Sequence, residues 1–226
     1  DPLQAIYGNE ALLVLTPELQ EELCRRFSLD RPLGEQYAAY LFSLCRGDLG
    51  YSYFYNAPVL KVISGFLPWT LLLTGLASFL STLSGFFLGV ESGSRRGRAL
   101  DQCLLGGIMF FSGFPDFFVG IILLLFFGVF LSLAPLSGAL TPYAGHSGLM
   151  LVIDILHHLA LPLTALVMVR LTATYLMTRS AMITTLGEAF ILTARAKGCP
   201  ERTVRYRHAG RNTLLPVVTA AGLQFA

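Results

Sequence analysis

GEAFILTARAKGCPERTVRYRHAGRNTLLP, residues 187–216, is a basic island inside an otherwise apolar chain. It sets Arg195, Lys197, Arg202, Arg205, Arg207 and Arg211 against only Glu188 and Glu201. Gly198-Cys199-Pro200 predicts a reverse turn between two short helical halves. Glycine admits the left-handed backbone that ends a helix, and Pro200 restarts the second half at its first position. Glu188 falls near a helix start, where negative charge is favoured. Phe190, Ile191, Ala194 and Val204 offer apolar side chains to a groove on a partner, and the arginines suit an acidic rim. A loop that merely bound lipid headgroups would not need the Gly-Pro turn. Long apolar runs on both sides make the segment a rigid lever projecting from two membrane helices, and they argue against nucleic acid as its partner.

Composition agrees with a membrane setting. Hydrophobic residues make up 54% of the chain and charged residues 13%, against about 25% charged in ordinary soluble domains. Mean hydropathy is +0.63. The net charge of +2 says little, because the signs are segregated along the chain. The chain opens at Asp1-Pro2 without an apolar leader and ends on a short apolar stretch, so both ends read as cuts in a longer protein. Cys24 and Cys45 share one predicted side, either as a disulfide or as two idle thiols. Cys103 and Cys199 fall at the opposite, reducing side.

Three apolar spans follow from the pattern: about 67–90, about 103–131 interrupted at Gly113-Phe114-Pro115-Asp116, and about 155–177. Gly75, Ala77, Ser78, Ser81, Ser84 and Gly85 suit close helix–helix approach in the first span. Residues 1–64 read as an amphipathic extracytoplasmic segment, with helices at about 16–27 and 34–44. Residues 65–226 read as the membrane domain, with the lever at 181–213 and a further helix starting near Leu214. Residues 95–98 and 179–211 hold ten of the sixteen Lys/Arg, while 132–153 holds none. Arginine-rich short loops stay cytoplasmic, which puts 1–60 and 132–153 outside. The aromatic run at 51–55 reads as an interfacial belt, with docking of an extracytoplasmic protein as a secondary role.

The residues of the lever carry a resemblance. Glu188-Ala189, Ala194-Arg195-Ala196-Lys197-Gly198, Arg207-His208-Ala209-Gly210-Arg211-Asn212 and Leu215-Pro216 resemble the EAA loop of ABC-importer permeases, specifically the dipeptide/oligopeptide/nickel group. Leu29-Asp30-Arg31-Pro32-Leu33, Gly47-Asp48-Leu49-Gly50, Pro58-Val59, Leu67-Pro68, Thr70-Leu71, Pro115, Phe117, His158, Leu161-Pro162 and Thr178-Arg179-Ser180 follow that group's order and spacing. The resemblance implies an all-α type I permease fold of six transmembrane helices, of which this chain holds about three and the start of another. It implies a bacterial inner-membrane, multi-pass location. The implied partners are a homologous second permease, two cytosolic ATPase subunits and an extracytoplasmic substrate-binding protein. It assigns contact with the ATPase to Glu188, Ala189, Ala194, Arg195, Ala196, Lys197, Gly198, Arg202, His208, Arg211, Asn212 and Pro216. ATP and Mg²⁺ would sit on partner subunits, for no G-x-x-x-x-G-K-[ST] occurs in this chain. The implied cargo is di- or oligopeptide, with nickel or a metal chelate as the alternative. The chain departs from many members at Leu176, where they carry a second Arg three residues before the one matching Arg179.

Charged residues inside spans are costly and so mark function. Asp116 and Arg170 are expected at similar depth in antiparallel spans, about 18 Å and about 12 Å from the cytoplasmic face along straight helices. They would pair with each other, or line the translocation path, where Arg170 would meet a substrate carboxylate. Asp154, His157 and His158 share a helical face, a pattern that suits a metal such as Ni²⁺. His158, however, matches the family's ordinary His before Leu-Pro, which favours a structural role. An intramembrane enzyme built on these three residues and a passive channel are the rival readings.

Overall fold

The computed structural model describes residues 32–52 and 54–223. The predicted helix at 16–27, Cys24 and its pairing with Cys45 lie outside them. The chain divides into two compact units, residues 1–68 and 69–226.

In the first unit, α1 (Leu33–Cys45) starts at Pro32, whose carbonyl accepts the amides of Glu35 and Gln36. Arg46 lies over the Phe42 ring at 4.0 Å. Two-residue strands β1 (Tyr51–Ser52) and β2 (Ala57–Pro58) then pair antiparallel, Tyr51 opposite Pro58. Asn56 takes φ +48 in the turn and accepts a hydrogen bond from the Tyr51 hydroxyl at 2.6 Å. Tyr51 therefore lies in an arm of a small hairpin, with Phe54 and Tyr55 in its turn.

Helix α2 (Val59–Ser94) and helix α5 (Leu149–Thr185), of 36 and 37 residues, are each long and apolar enough to cross a membrane. Both outrun the predicted spans, because hydropathy marks only the hydrocarbon-crossing part while the backbone ladder continues into the interfaces. Between them, α3 (Ala99–Ser112) and α4 (Asp116–Leu123, continuing as a π-helical stretch Leu124–Phe130) meet at a bend of 98°. Pro115 lacks an amide hydrogen and disfavours helical backbone at Phe114. Its carbonyl instead accepts Phe118 and Val119 and starts a new helix. The expected second span is thus a broken span or a re-entrant pair.

Helix α5 is the spine of the second unit, packed by α2, α3, α4 and the last helix, α8 (Arg211–Leu223). Ala77, Ser81, Gly85, Gly89 and Gly93 recur every four residues on α2 and are all buried. A Cβ added at Gly89 would lie 2.6 Å from Thr178 Cβ, and one at Gly93 2.7 Å from Met182 Cβ. Only residues without side chains let these two backbones approach so closely. Of the small residues expected at the interface, Gly75 meets nothing within 4 Å, and Ser84 is satisfied by the Leu80 carbonyl of its own helix.

Candidate functional site

Helix α5 ends at Thr185, and Glu188 becomes the N-cap of the two-turn helix α6 (Ala189–Ala196). The turn that closes α6 is a Schellman motif. Gly198 (φ +74) donates its amide to Arg195 O at 2.9 Å, and Cys199 donates to Ala194 O at 3.2 Å. Pro200 stands one place earlier than expected, as the N-cap of α7 (Glu201–Thr203). That helix is not a separate short half. It runs on through the π-helical stretch Val204–Gly210 directly into α8, so the helix expected near Leu214 begins at Glu201. The lever is one short helix joined through the turn at Gly198 to the foot of the next helix.

Its two faces are the main correction to the sequence reading. Ile191, Ala194 and Val204 do not offer themselves to a partner. They are buried with Val90, Met182 and Ala209 in one apolar cluster, flanked by Phe86, Leu186, Cys199 and Tyr206. The outward face carries Phe190 and Leu192, which is 62% exposed. Glu188, Ala189, Arg195, Ala196, Lys197, Gly198, Arg202, Arg211, Asn212 and Pro216 are exposed as well, and His208 is half-buried. Arg195 donates to Glu201 across the turn at 3.1 Å, a solvated pair of small energetic weight.

Two carboxylates that the sequence reading passed over hold this lever and its spans together. Glu91, near the end of α2, accepts two hydrogen bonds from Arg205 Nη1, at 2.9 and 3.0 Å to its two oxygens. It also accepts one from the Tyr206 hydroxyl and pairs with Arg95 at 3.0 Å. Burial, and then the bond to Glu91, raise the Tyr206 phenol above its ordinary range, so it remains a donor at neutral pH. Arg205 therefore faces the spans and not a partner.

Asp101, buried at the start of α3, takes a bidentate contact from Arg179 on α5, Nε to Oδ1 at 2.7 Å and Nη2 to Oδ2 at 2.8 Å. Ser92 donates to Oδ1, and the Gly97 amide donates to Oδ2 at 2.9 Å. The Ser92 hydroxyl is also 2.7 Å from the Tyr175 hydroxyl. One side chain thus ties the end of α2, the α2–α3 turn, α3 and α5 to each other. The available signal was an acid set among arginines at the mouth of apolar spans.

The expected Asp116–Arg170 pair does not form. Asp116 is exposed at the first position of α4, and Arg170 is half-buried in α5, with no ion pair between them. Depth counted along a straight helix fails at a 98° bend. Asp154 is occupied by the loop before α5, accepting from Thr141 N at 2.8 Å and Thr141 Oγ1 at 2.6 Å. His157 Nε2 donates to Leu133 O at 2.9 Å, and His158 Nδ1 donates to Asp154 O at 2.9 Å. Among the described residues no three His, Cys, Asp or Glu side chains converge on a metal position.

A helical membrane protein with a short basic lever seated on the ends of its spans is the class that this fold defines. The chain belongs to the binding-protein-dependent transport system inner membrane components, whose family model matches residues 81–226. The resemblance to ABC-importer permeases carried by the loop residues therefore holds. The chain is 33% identical over 238 residues to the di/tripeptide transport system permease protein DppB of Pseudomonas aeruginosa (strain UCBPP-PA14), covering 99% of this chain and 70% of that one. It is 32% identical over 241 residues to the dipeptide transport system permease protein DppB of Escherichia coli (strain K12), with the same coverage. It is 32% identical over 230 residues to the oligopeptide transport system permease protein AppB of Bacillus subtilis (strain 168), covering 98% and 70%.

Proposed function

We propose that this chain is the transmembrane subunit of an ATP-driven importer that moves short peptides across a bacterial inner membrane. The observation that carries the mechanical half is the seating of the lever. Its inner face is packed apolar against α2 and α5, while its outer face leaves Phe190, Leu192 and a set of basic groups open. A cytosolic ATPase subunit would grip that outer face, with the arginine-rich ends of the spans on the same side of the membrane. Load on the lever passes from Arg205 and Tyr206 into Glu91 and α2. From there Ser92, Asp101 and Arg179 carry it into α3 and α5.

A second, homologous permease, two ATPase subunits holding ATP and Mg²⁺, and an extracytoplasmic binding protein complete the machine. Asp116 and Arg170 act separately along the translocation path, Arg170 meeting the peptide carboxylate. Peptide as cargo is supported by the relatives, which are peptide permeases by name.

The test is the reconstituted complex in proteoliposomes, assayed for ATP hydrolysis and for uptake of labelled dipeptide, tripeptide, longer peptide and nickel. ATP-dependent peptide uptake is expected, with Glu91→Gln retaining hydrolysis while uptake per ATP falls. Uptake of nickel in place of peptide would reassign the cargo. Flux without ATP would overturn the reading in favour of a passive channel.

A further inference from the structure

Between the arginine-rich turn after α2 and the end of α5 lies an open cavity of about 390 Å³, lined by Gly93, Arg95, Arg96, Arg98, Ile183 and Gly187 among others. Three arginines line it and no acidic residue does. Arg95 is committed to Glu91. Glu91 is itself shared with Arg205 and Tyr206, and Asp101 is taken by Arg179, so Arg96 and Arg98 carry charge with no acid set against it among the described residues. Their loop is held from the buried side. Gly97 (φ +78) gives its amide to Asp101 Oδ2, and Arg98 N bonds Arg95 O at 3.0 Å. The fixed loop therefore presents two uncompensated guanidinium groups at the point where the apolar run of α2 stops.

We propose that this cavity binds a phosphate-bearing anion. Guanidinium forks match phosphate oxygens in bidentate geometry. A basic pocket between the ends of membrane helices lies at headgroup depth, beside a leaflet that carries anionic lipid. Ile183 and Leu186, also in the lining, supply apolar surface for the start of a phospholipid's acyl chains. The two sources of this chemistry are an anionic phospholipid headgroup and free phosphate. The site lies before α6, uses neither Phe190 nor Leu192, and stands whether or not α6 is driven by an ATPase.

The experiment uses the full-length protein with its partner subunits, in mild detergent with added phosphatidylglycerol, and counts retained phospholipid by native mass spectrometry. R96Q/R98Q is expected to lower retention roughly thirtyfold, from the attraction of two basic side chains to an anionic surface. R96K/R98K, which keeps both charges but loses the bidentate forks, should retain more than R96Q/R98Q and less than the unaltered protein, and R207Q, on the exposed basic segment, should leave retention unchanged. In a second arm, protection of Arg96 and Arg98 from phenylglyoxal by inorganic phosphate, without phosphatidylglycerol retention, would identify free phosphate as the occupant. The proposal is overturned if neither probe responds to R96Q/R98Q or if R207Q lowers retention equally. Loss of a partner subunit from R96Q/R98Q with lipid retention intact would overturn it too, by making the cavity a protein contact.

Discussion

Replacing Asp101 by Asn tests the clamp that joins the spans, because the change keeps shape and removes only charge and one acceptor. Three N–H groups converge on the carboxylate: Arg179 Nε at Oδ1, with Arg179 Nη2 and Gly97 N at Oδ2. Ser92 can turn its hydroxyl to suit an amide, but none of these three can. Whichever way the Asn side chain is rotated, its NH₂ meets at least one of them. The guanidinium, with 19% of its side chain exposed, is left without its counter-ion. Breaking a buried ion pair by removing one partner costs about 3–5 kcal/mol, and the partial exposure of Arg179 points to the lower end. At 2–4 °C per kcal/mol for a chain of this size, about 3 kcal/mol lowers the apparent melting midpoint by roughly 6–12 °C.

The assay is the fraction remaining monodisperse on size exclusion after heating at one fixed rate. The double variant D101L/R179M removes both charges and fills the space with apolar atoms. It should recover much of the loss, since a buried pair replaced as a unit is often close to neutral. A shift of under about 2 °C for D101N, or a double variant as poor as the sum of the two singles, would refute the clamp.

Three further outcomes follow from the packing. Gly89→Leu forces its Cβ against Thr178 Cβ and the Tyr175 carbonyl and should abolish a monodisperse peak, whereas Gly75→Leu, which meets nothing, should leave it intact. Ile191→Asp should lower thermal stability by burying an unpaired charge, while Leu192→Asp should leave stability unchanged and weaken capture of the ATPase subunit. Gly198→Ala places a Cβ on left-handed backbone and should lower stability by about 1–2 kcal/mol, read as a shift of a few degrees in the same heating assay.

Much of this was legible in advance. The membrane class, the turn at Gly198 and the helix start at Glu188 follow from neighbours within a few residues, and the structure has them where they were read. The hairpin at Tyr51 and the extension of α2 and α5 beyond their apolar cores were less visible, because a span is recognised from hydropathy and not from where its hydrogen bonds end. The inward turn of Ile191, Ala194 and Val204 was misread. An apolar face on a short helix looks the same whether it meets a partner or its own protein.

The sequence by itself determined that the chain crosses a membrane, that it carries a basic segment with a turn at Gly198, and which family it belongs to. The first two rest on hydropathy and turn chemistry, which act over short range, and the third on motifs matched in order and spacing to those of a known family. Only the tertiary structure decided what the lever is fastened to. Glu91 meets Arg205 across 114 residues, and Asp101 meets Arg179 across 78. It likewise decided that Asp116 and Arg170 stay apart across the 98° bend, and that a glycine row on α2 lets two backbones touch. Pairings of this kind depend on how whole helices pack, and no local pattern of residues specifies them.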